Sequence, residues 1–232
     1  MLICIEGADA VGKNEMSRRL TDALSATRQT CRISFPRYDT VVGGAILRHL
    51  KEDTRLIDVI RQHDDREEHE RLSSDDPLMF QCMMLADKVH AAKTINMFLK
   101  GGGTVVLDRW WQSAYVYGAC DGLDEQWLLD THDALPKADL NILLTLSVEK
   151  SQERRPGLRD RYEKDQEKQV RIRQKYIDVW KDAESMNAKM RSYADGRYDW
   201  KMVDSRMSRD DVFAEIMKHV RESSARLKMD LA

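Results

Sequence analysis

A strand that runs into a glycine loop and then into a helix leaves a chain few folds to adopt, and this sequence opens with one. Leu2-Ile3-Cys4-Ile5 is a continuous apolar run, and Glu6 leads from it into Gly7-Ala8-Asp9-Ala10-Val11-Gly12-Lys13-Asn14. Gly7 and Gly12 have the spacing of a Walker A loop, which lets the backbone curl so that successive N–H groups face phosphate oxygens while Lys13 adds a mobile cation. A helix that begins where the loop ends adds its positive dipole end and its unpaired N–H groups to the same anion site. Asn14 stands where Ser or Thr normally ligates Mg²⁺, and an amide oxygen is a weaker substitute for that hydroxyl.

The rest of the chain alternates between helical and strand patterns. Met16, Leu20, Ala23, Leu24 and Thr27 recur at helical spacing, and Cys31-Arg32-Ile33-Ser34-Phe35 reads as a second strand ended by Pro36. A helix is expected around Ala45 to Lys51. Asp75-Asp76-Pro77 reads as a cap and first turn that open a long apolar helix from Leu78 to about Leu99. Gly101-Gly102-Gly103 ends it. Thr104-Val105-Val106-Leu107 is then a strand buried on both faces, with Asp108-Arg109 at its carboxyl end, where an α/β sheet gathers its functional groups. Leu140 to Leu146 is the next strand, followed by a charged helix from about Tyr162 to Arg191, a short strand at Trp200 to Val203, and a final helix opened by Ser208 and Asp211 as a capping box.

Composition narrows the class. With 42% hydrophobic and 34% charged residues the 232-residue chain is globular, a single domain is expected over 1–232, and no apolar run approaches the ~20 residues of a membrane span. The net charge of −2 predicts no stable binding to nucleic acid. Cys4, Cys31, Cys82 and Cys120 lie in apolar stretches without metal-ligand spacing, which suits reduced core thiols; with no secretory pattern at the start, a cytoplasmic location is expected. His63 and His69 lie among acidic residues and read as a solvated face. Charge is uneven: residues 52–76 hold 10 acids and 4 arginines, and residues 150–175 hold 10 bases and 5 acids.

In chain order, the Walker loop, Phe35-Pro36-Arg37, Ala86-Asp87-Lys88, Asp108-Arg109 and Asp160-Arg161-Tyr162-Glu163 resemble the thymidylate kinase family from about Met1 to Trp180. The resemblance implies the P-loop nucleoside monophosphate kinase fold, an α/β structure with a five-stranded parallel sheet in order 2-3-1-4-5, flanking helices and a mobile lid at about 150–162. It also implies transfer of the ATP γ-phosphoryl group to a deoxynucleoside monophosphate with Mg²⁺, and a homodimer packed through long helices.

Phosphoryl transfer between two anions needs alignment, exclusion of water and neutralised charge rather than a covalent intermediate. The loop residues Gly7, Ala8, Asp9, Ala10, Val11, Gly12, Lys13 and Asn14 are expected to hold the donor, and Arg37 and Arg109 the acceptor phosphate, for which a guanidinium fork is well shaped. Asp9 and Asp108 are expected to serve the metal or to orient these cations, with Asn14 and Asp108 as the metal positions. Ala10 takes a loop position where some relatives of this type carry an arginine, which points to a lid arginine as the catalytic cation: Arg154, Arg155 or Arg159.

Base recognition departs from the family pattern. Met84 and Lys88 stand where an aromatic ring and an arginine usually meet thymine. Methionine covers a base less specifically and lysine is a single-point donor, so a 5-modified pyrimidine or deoxyuridylate joins dTMP as a candidate acceptor. Phe35, Ser113, Tyr117 and Tyr162 are further positions at which the family touches the nucleotide, and Trp110-Trp111 reads either as a pocket wall or as packing. Two other readings stand beside the kinase. One is a nucleotide-binding protein with weak or lost catalysis, suggested by Asn14; the other is a kinase acting on modified DNA.

Overall fold

The computed structural model describes residues 1–51, 77–147, 150, 153, 162, 165–185 and 199–230. In chain order the elements are β1 (Leu2–Glu6), α1 (Lys13–Ser25), β2 (Thr30–Ser34), α2 (Val41–Leu50), α3 (Pro77–Lys100), β3 (Thr104–Asp108), α4 (Trp111–Cys120), α5 (Glu125–His132), β4 (Leu140–Thr145), α6 (Gln166–Ser185), β5 (Trp200–Asp204) and α7 (Arg209–Asp230). The five strands form one parallel sheet in the order β2-β3-β1-β4-β5, as the family resemblance implies.

The central strands β1 and β3 are buried at every position, which explains their unbroken apolar runs: helices cover both faces of a parallel sheet, so no alternation is needed. Helices α1 and α7 touch each other and the sheet, while α3, α4 and α6 pack side by side. Ser208 opens α7 as expected, its Oγ accepting from the Asp211 N–H at 3.1 Å and donating to the Asp211 carboxylate at 2.7 Å.

Two helices were not foreshadowed. Helix α4 buries Trp111, Gln112, Ser113, Ala114, Tyr115, Val116 and Gly118, so nearly all of its sides are covered and it carries no amphipathic stripe. Helix α5 is a short segment capped by Asp124, whose carboxylate accepts from the Trp127 N–H at 2.7 Å. Helix α6 begins at Gln166 rather than Tyr162. Residues 52–76, with His63 and His69, and most of the segment expected as a lid lie outside the described residues.

Register fixes where the loops meet. Asp108 of β3 is level with Ile5 of β1 and with Ser34 of β2, so the segments after these three strands leave the sheet at one height. Two hydrogen bonds tie their first residues together: Phe35 N–H donates to Asp108 O at 2.9 Å, and Arg109 N–H to Ile5 O at 3.0 Å.

Candidate active site

The loop 7–12 makes the turn that its two glycines permit. Gly12 caps α1 at φ 102°, a left-handed conformation that glycine adopts without steric cost. A side chain on Gly7 would overlap the Leu144 carbonyl oxygen, so the start of the loop lies this close to β4 only because that position is bare. Lys13 begins α1 and is buried, its Nζ donating to Ala8 O. Burial, and then the charge of Arg109, bring the Lys13 ammonium down to about 8.

Arg109 lies at the centre of the site. It leaves β3 in a left-handed conformation, φ 68°, uncommon for a residue with a side chain. Its Nη2 pairs with the Asp9 carboxylate, and its Nη1 donates to Gly7 O at 3.1 Å and to Ser113 Oγ at 3.2 Å. Asp9 in turn accepts from Tyr117 OH at 2.7 Å and from Gln169 Nε2 at 3.1 Å. Burial alone would raise the Asp9 carboxyl, but Arg109 and Lys13 outweigh it and hold the group below its ordinary range. Asp9 therefore orients a cation.

Beneath Arg109 lies a fully buried carboxylate. Glu6 accepts from the Trp110 N–H at 2.7 Å, Ser113 Oγ at 2.7 Å and Tyr176 OH at 3.0 Å. Gln169 and Tyr176 are seven residues apart on α6, two turns on one face, so this helix closes the back of the site at two points. Trp110 is packing: it is fully buried, its indole N–H donates to Pro136 O at 2.9 Å, and its ring lies 4.8 Å from that of Phe35.

Arg37 is positioned from α3. Its backbone N–H and its Nε donate to the two oxygens of Asp87 at 2.9 and 2.8 Å, and its Nη2 reaches Asp87 O and His90 Nδ1, each at 2.8 Å. Two cations lie near the Phe35 ring, the Arg37 guanidinium 5.9 Å and the Lys88 ammonium 6.0 Å from its centre. Lys88 is itself buried and donates to Met84 O at 3.1 Å. Tyr162 is buried among aromatic rings, 5.2 Å from Tyr117 and 6.0 Å from Phe80, with its hydroxyl on Asp121 at 2.6 Å.

The two expected metal positions are differently engaged. Asn14 Oδ1 and Asp108 Oδ2 both accept from Arg32 Nη2, at 2.7 and 2.8 Å. With a guanidinium against both oxygens, they do not fit a divalent ion shared between them. Arg154, Arg155 and Arg159, the arginines expected on a lid, lie outside the described residues.

The structure thus gathers Lys13, Asp9, Arg37, Lys88, Asp108, Arg109, Ser113 and Tyr117 around the carboxyl ends of β1, β2 and β3. Cations gathered beside a glycine loop of this kind are equipped to hold anionic tails. The family model for thymidylate kinase matches residues 5–216. The chain belongs to the thymidylate kinase family. The thymidylate kinase of Dictyostelium discoideum is 28% identical over 218 residues, covering 93% of this chain and 82% of that one. That of Mycobacterium tuberculosis (strain ATCC 25618 / H37Rv) is 30% identical over 197 residues, covering 77% and 85%. The fold is similar to the solved structure of thymidylate kinase from Candida albicans, with a TM-score of 0.72 at 23% identity over 96% of this chain and 92% of that one. As a thymidylate kinase family member this chain is a nucleotide-binding phosphotransferase that acts on nucleoside monophosphates. Thymidylate kinases generally use ATP and Mg²⁺.

Five residues with clear work in this site carried no assigned role in the sequence reading: Glu6, Arg32, Asp87, Gln169 and Tyr176. Glu6 and Asp87 carry a signal, each being an acid inside a motif-bearing stretch, the first leading into the glycine loop and the second within Ala86-Asp87-Lys88. Gln169 and Tyr176 had none, because only the fold of α6 against α4 brings them to Asp9 and Glu6.

Proposed function

We propose that this chain transfers the γ-phosphoryl group of ATP to dTMP or a closely related pyrimidine deoxynucleotide, including dUMP and 5-modified forms. The observation that carries this reading is the Arg109 network, in which one guanidinium is locked beside the phosphate loop by Asp9, Gly7, Ser113 and Tyr117. In this reading the loop N–H groups and Lys13 hold the donor phosphates, and Arg109 and Arg37 hold the acceptor phosphate. Their positions are set by Asp9 and Asp87 before substrate arrives, so little reorganisation is left for the reacting complex. One of Arg154, Arg155 and Arg159, carried on a lid at about 150–162, supplies the remaining cation as the site closes.

Met84, Lys88, Tyr117 and Tyr162 form the base and sugar pocket. Met84 covers a ring face and Lys88 donates to a carbonyl edge, which suits a pyrimidine O4. Initial rates of ADP formation with dTMP, dUMP, 5-hydroxymethyl-dUMP, dGMP and dAMP test this: pyrimidines are expected to exceed purines by at least about tenfold in kcat/KM. A preference for either purine overturns the assignment.

Lys88 also yields a stability prediction. Burial is the main cause that lowers its ammonium from 10.5 to about 8. Below pH 8 lysine is charged in both the folded and the unfolded chain, and the cost of burying the charge is fully present. Between pH 8 and 10.5 the folded form gives up its proton first, so the cost shrinks as pH rises. Lys88→Met, which keeps the apolar stem, is expected to stabilise the fold at pH 7 by about 1–3 kcal/mol and to lose most of that advantage by pH 10. Thermal melts of both proteins across this range check it; an advantage unchanged by pH removes the electrostatic explanation.

The reading includes a homodimer. Helix α3 leaves Leu78, Val89 and Met97 exposed at helical spacing along one side, an apolar stripe suited to a second copy of α3. All four cysteines are unpaired, which agrees with a cytoplasmic enzyme. Among the described residues no helix is long and apolar enough to cross a membrane.

A further inference from the structure

Arg32 is a basic residue in the middle of β2, and its guanidinium meets three residues on two other elements, α1 and β3. Nε donates to Ser17 Oγ at 2.7 Å, and Nη2 donates both to Asn14 Oδ1 at 2.7 Å and to Asp108 Oδ2 at 2.8 Å. Ser17 Oγ donates in turn to Asn14 O at 3.1 Å, which ties the first turn of α1 to the same group. The arginine side chain is 18% exposed and that of Asp108 7%, so the pair is largely shielded from solvent.

An ion pair that served only to join β2 to β3 would be complete with Asp108. Here the same nitrogen reaches past the carboxylate to Asn14, the residue next to Lys13 in the first turn of the phosphate-binding helix. A hydroxyl at that position and an acid at the end of the neighbouring strand are the oxygen donors that a divalent cation uses in P-loop proteins. In this chain the hydroxyl is an amide, and both oxygens turn toward a permanent cation instead. Arginine suits such a post: it stays charged at any working pH, it is planar, and three fixed acceptors hold it in one orientation.

We propose that Arg32 is a fixed cation of the donor site, contributing charge to the triphosphate from between Asn14 and Asp108 and reducing the dependence of nucleotide binding on a divalent ion. This inference rests on the reading that the loop 7–13 holds a nucleoside triphosphate. It assigns a phosphate-binding role to a residue on β2, outside the loop, and gives Asn14 a function: its amide oxygen helps to seat the guanidinium.

The test is calorimetric binding of a non-hydrolysable ATP analogue, AMP-PNP, to the full chain, its Arg32→Ala variant and its Arg32→Lys variant, each in Mg²⁺ and in EDTA. The wild-type affinity is expected to change by less than about threefold between the two buffers. Arg32→Ala is expected to bind about tenfold more weakly in EDTA and to recover most of that loss in Mg²⁺, because Asn14 and Asp108 are then open to the ion. Arg32→Lys, which keeps the charge and loses the fork, should fall between. Electron paramagnetic resonance with Mn²⁺ on the nucleotide-free proteins supplies a readout independent of turnover: Arg32→Ala should bind the ion more tightly than wild type. The proposal is overturned if Arg32→Ala matches wild type in EDTA, or if it loses the same factor in both buffers, as a purely structural tie would. Should Arg32→Ala fail to fold, an Arg32→Lys variant with the wild-type ratio of EDTA to Mg²⁺ affinity overturns it equally. Failure of the wild-type chain to bind AMP-PNP in either buffer is a different result, and refutes the triphosphate site itself.

Discussion

Replacing Arg109 with methionine is expected to lower kcat/KM for the monophosphate by about three orders of magnitude, with Arg109→Lys recovering little of it. The size follows from the loss of a preorganised charge at the reacting phosphates, worth about 4 kcal/mol in a water-excluded site. Lysine restores the charge but not the fork that spans Asp9, Gly7 O and Ser113 at once. Arg109→Met leaves the Asp9 carboxylate without its guanidinium partner, and unfolding should become easier by about 3 kcal/mol. Adding Asp9→Asn to Arg109→Met separates the two effects. The double variant should regain much of the lost stability, since no unpaired charge is left at position 9, while its rate stays at the level of Arg109→Met. Melting curves and initial rates at matched folded fraction decide the matter. A rate within tenfold of wild type in Arg109→Met would remove Arg109 from the chemistry, and a double variant that recovered activity would show that its role is only to neutralise Asp9.

The elements of this fold that were legible in the sequence share one property: their burial pattern is simple. Strands β1 and β3 are buried on both sides and read as plain apolar runs; α1 and α7 each bury one side and show a stripe. Helix α4 is enclosed by α3, α5 and α6, so its apolar and polar residues follow no period and it could not be read. The site divides in a similar way. Residues borne on short local patterns, such as Lys13 in its loop and Asp108-Arg109 at a strand end, were visible because the chemistry needs them adjacent in sequence. The groups that hold those residues in place come from far along the chain: Asp87 is 50 residues from Arg37, and Tyr176 is 170 from Glu6. Arg32 was hidden for another reason. It lies mid-strand, where a charged side chain reads as the solvent-facing half of an alternation, and only the pairing of β2 with β3 beside α1 turns it toward Asn14 and Asp108.

Two adjacent glycines in α2 offer a test of how the acceptor arginine is held, since alanine at each is expected to act in opposite directions. Gly43 is buried against the corner that carries Arg37: a methyl group there would overlap the Arg37 carbonyl and come within 2.9 Å of Tyr38 N. Backbone cannot step aside as a side-chain tip can, so α2 would have to back away from residues 37–38. That movement pulls on the bonds from Arg37 N–H and Nε to Asp87, which set the direction of the guanidinium. Gly43→Ala is therefore expected to cost about 3 kcal/mol or more and to raise KM for the monophosphate by at least about tenfold. At Gly44 the nearest atom to an added methyl is Tyr38 O at 3.9 Å, and alanine is the better helix former. Gly44→Ala should stabilise the chain by about 0.5–1 kcal/mol and leave KM unchanged. Thermal melts and monophosphate titrations of the two variants read both effects. Equal melting temperatures would mean that α2 does not press on the Arg37 corner; a destabilised Gly43→Ala with normal KM would mean that Asp87 alone is enough to aim the arginine.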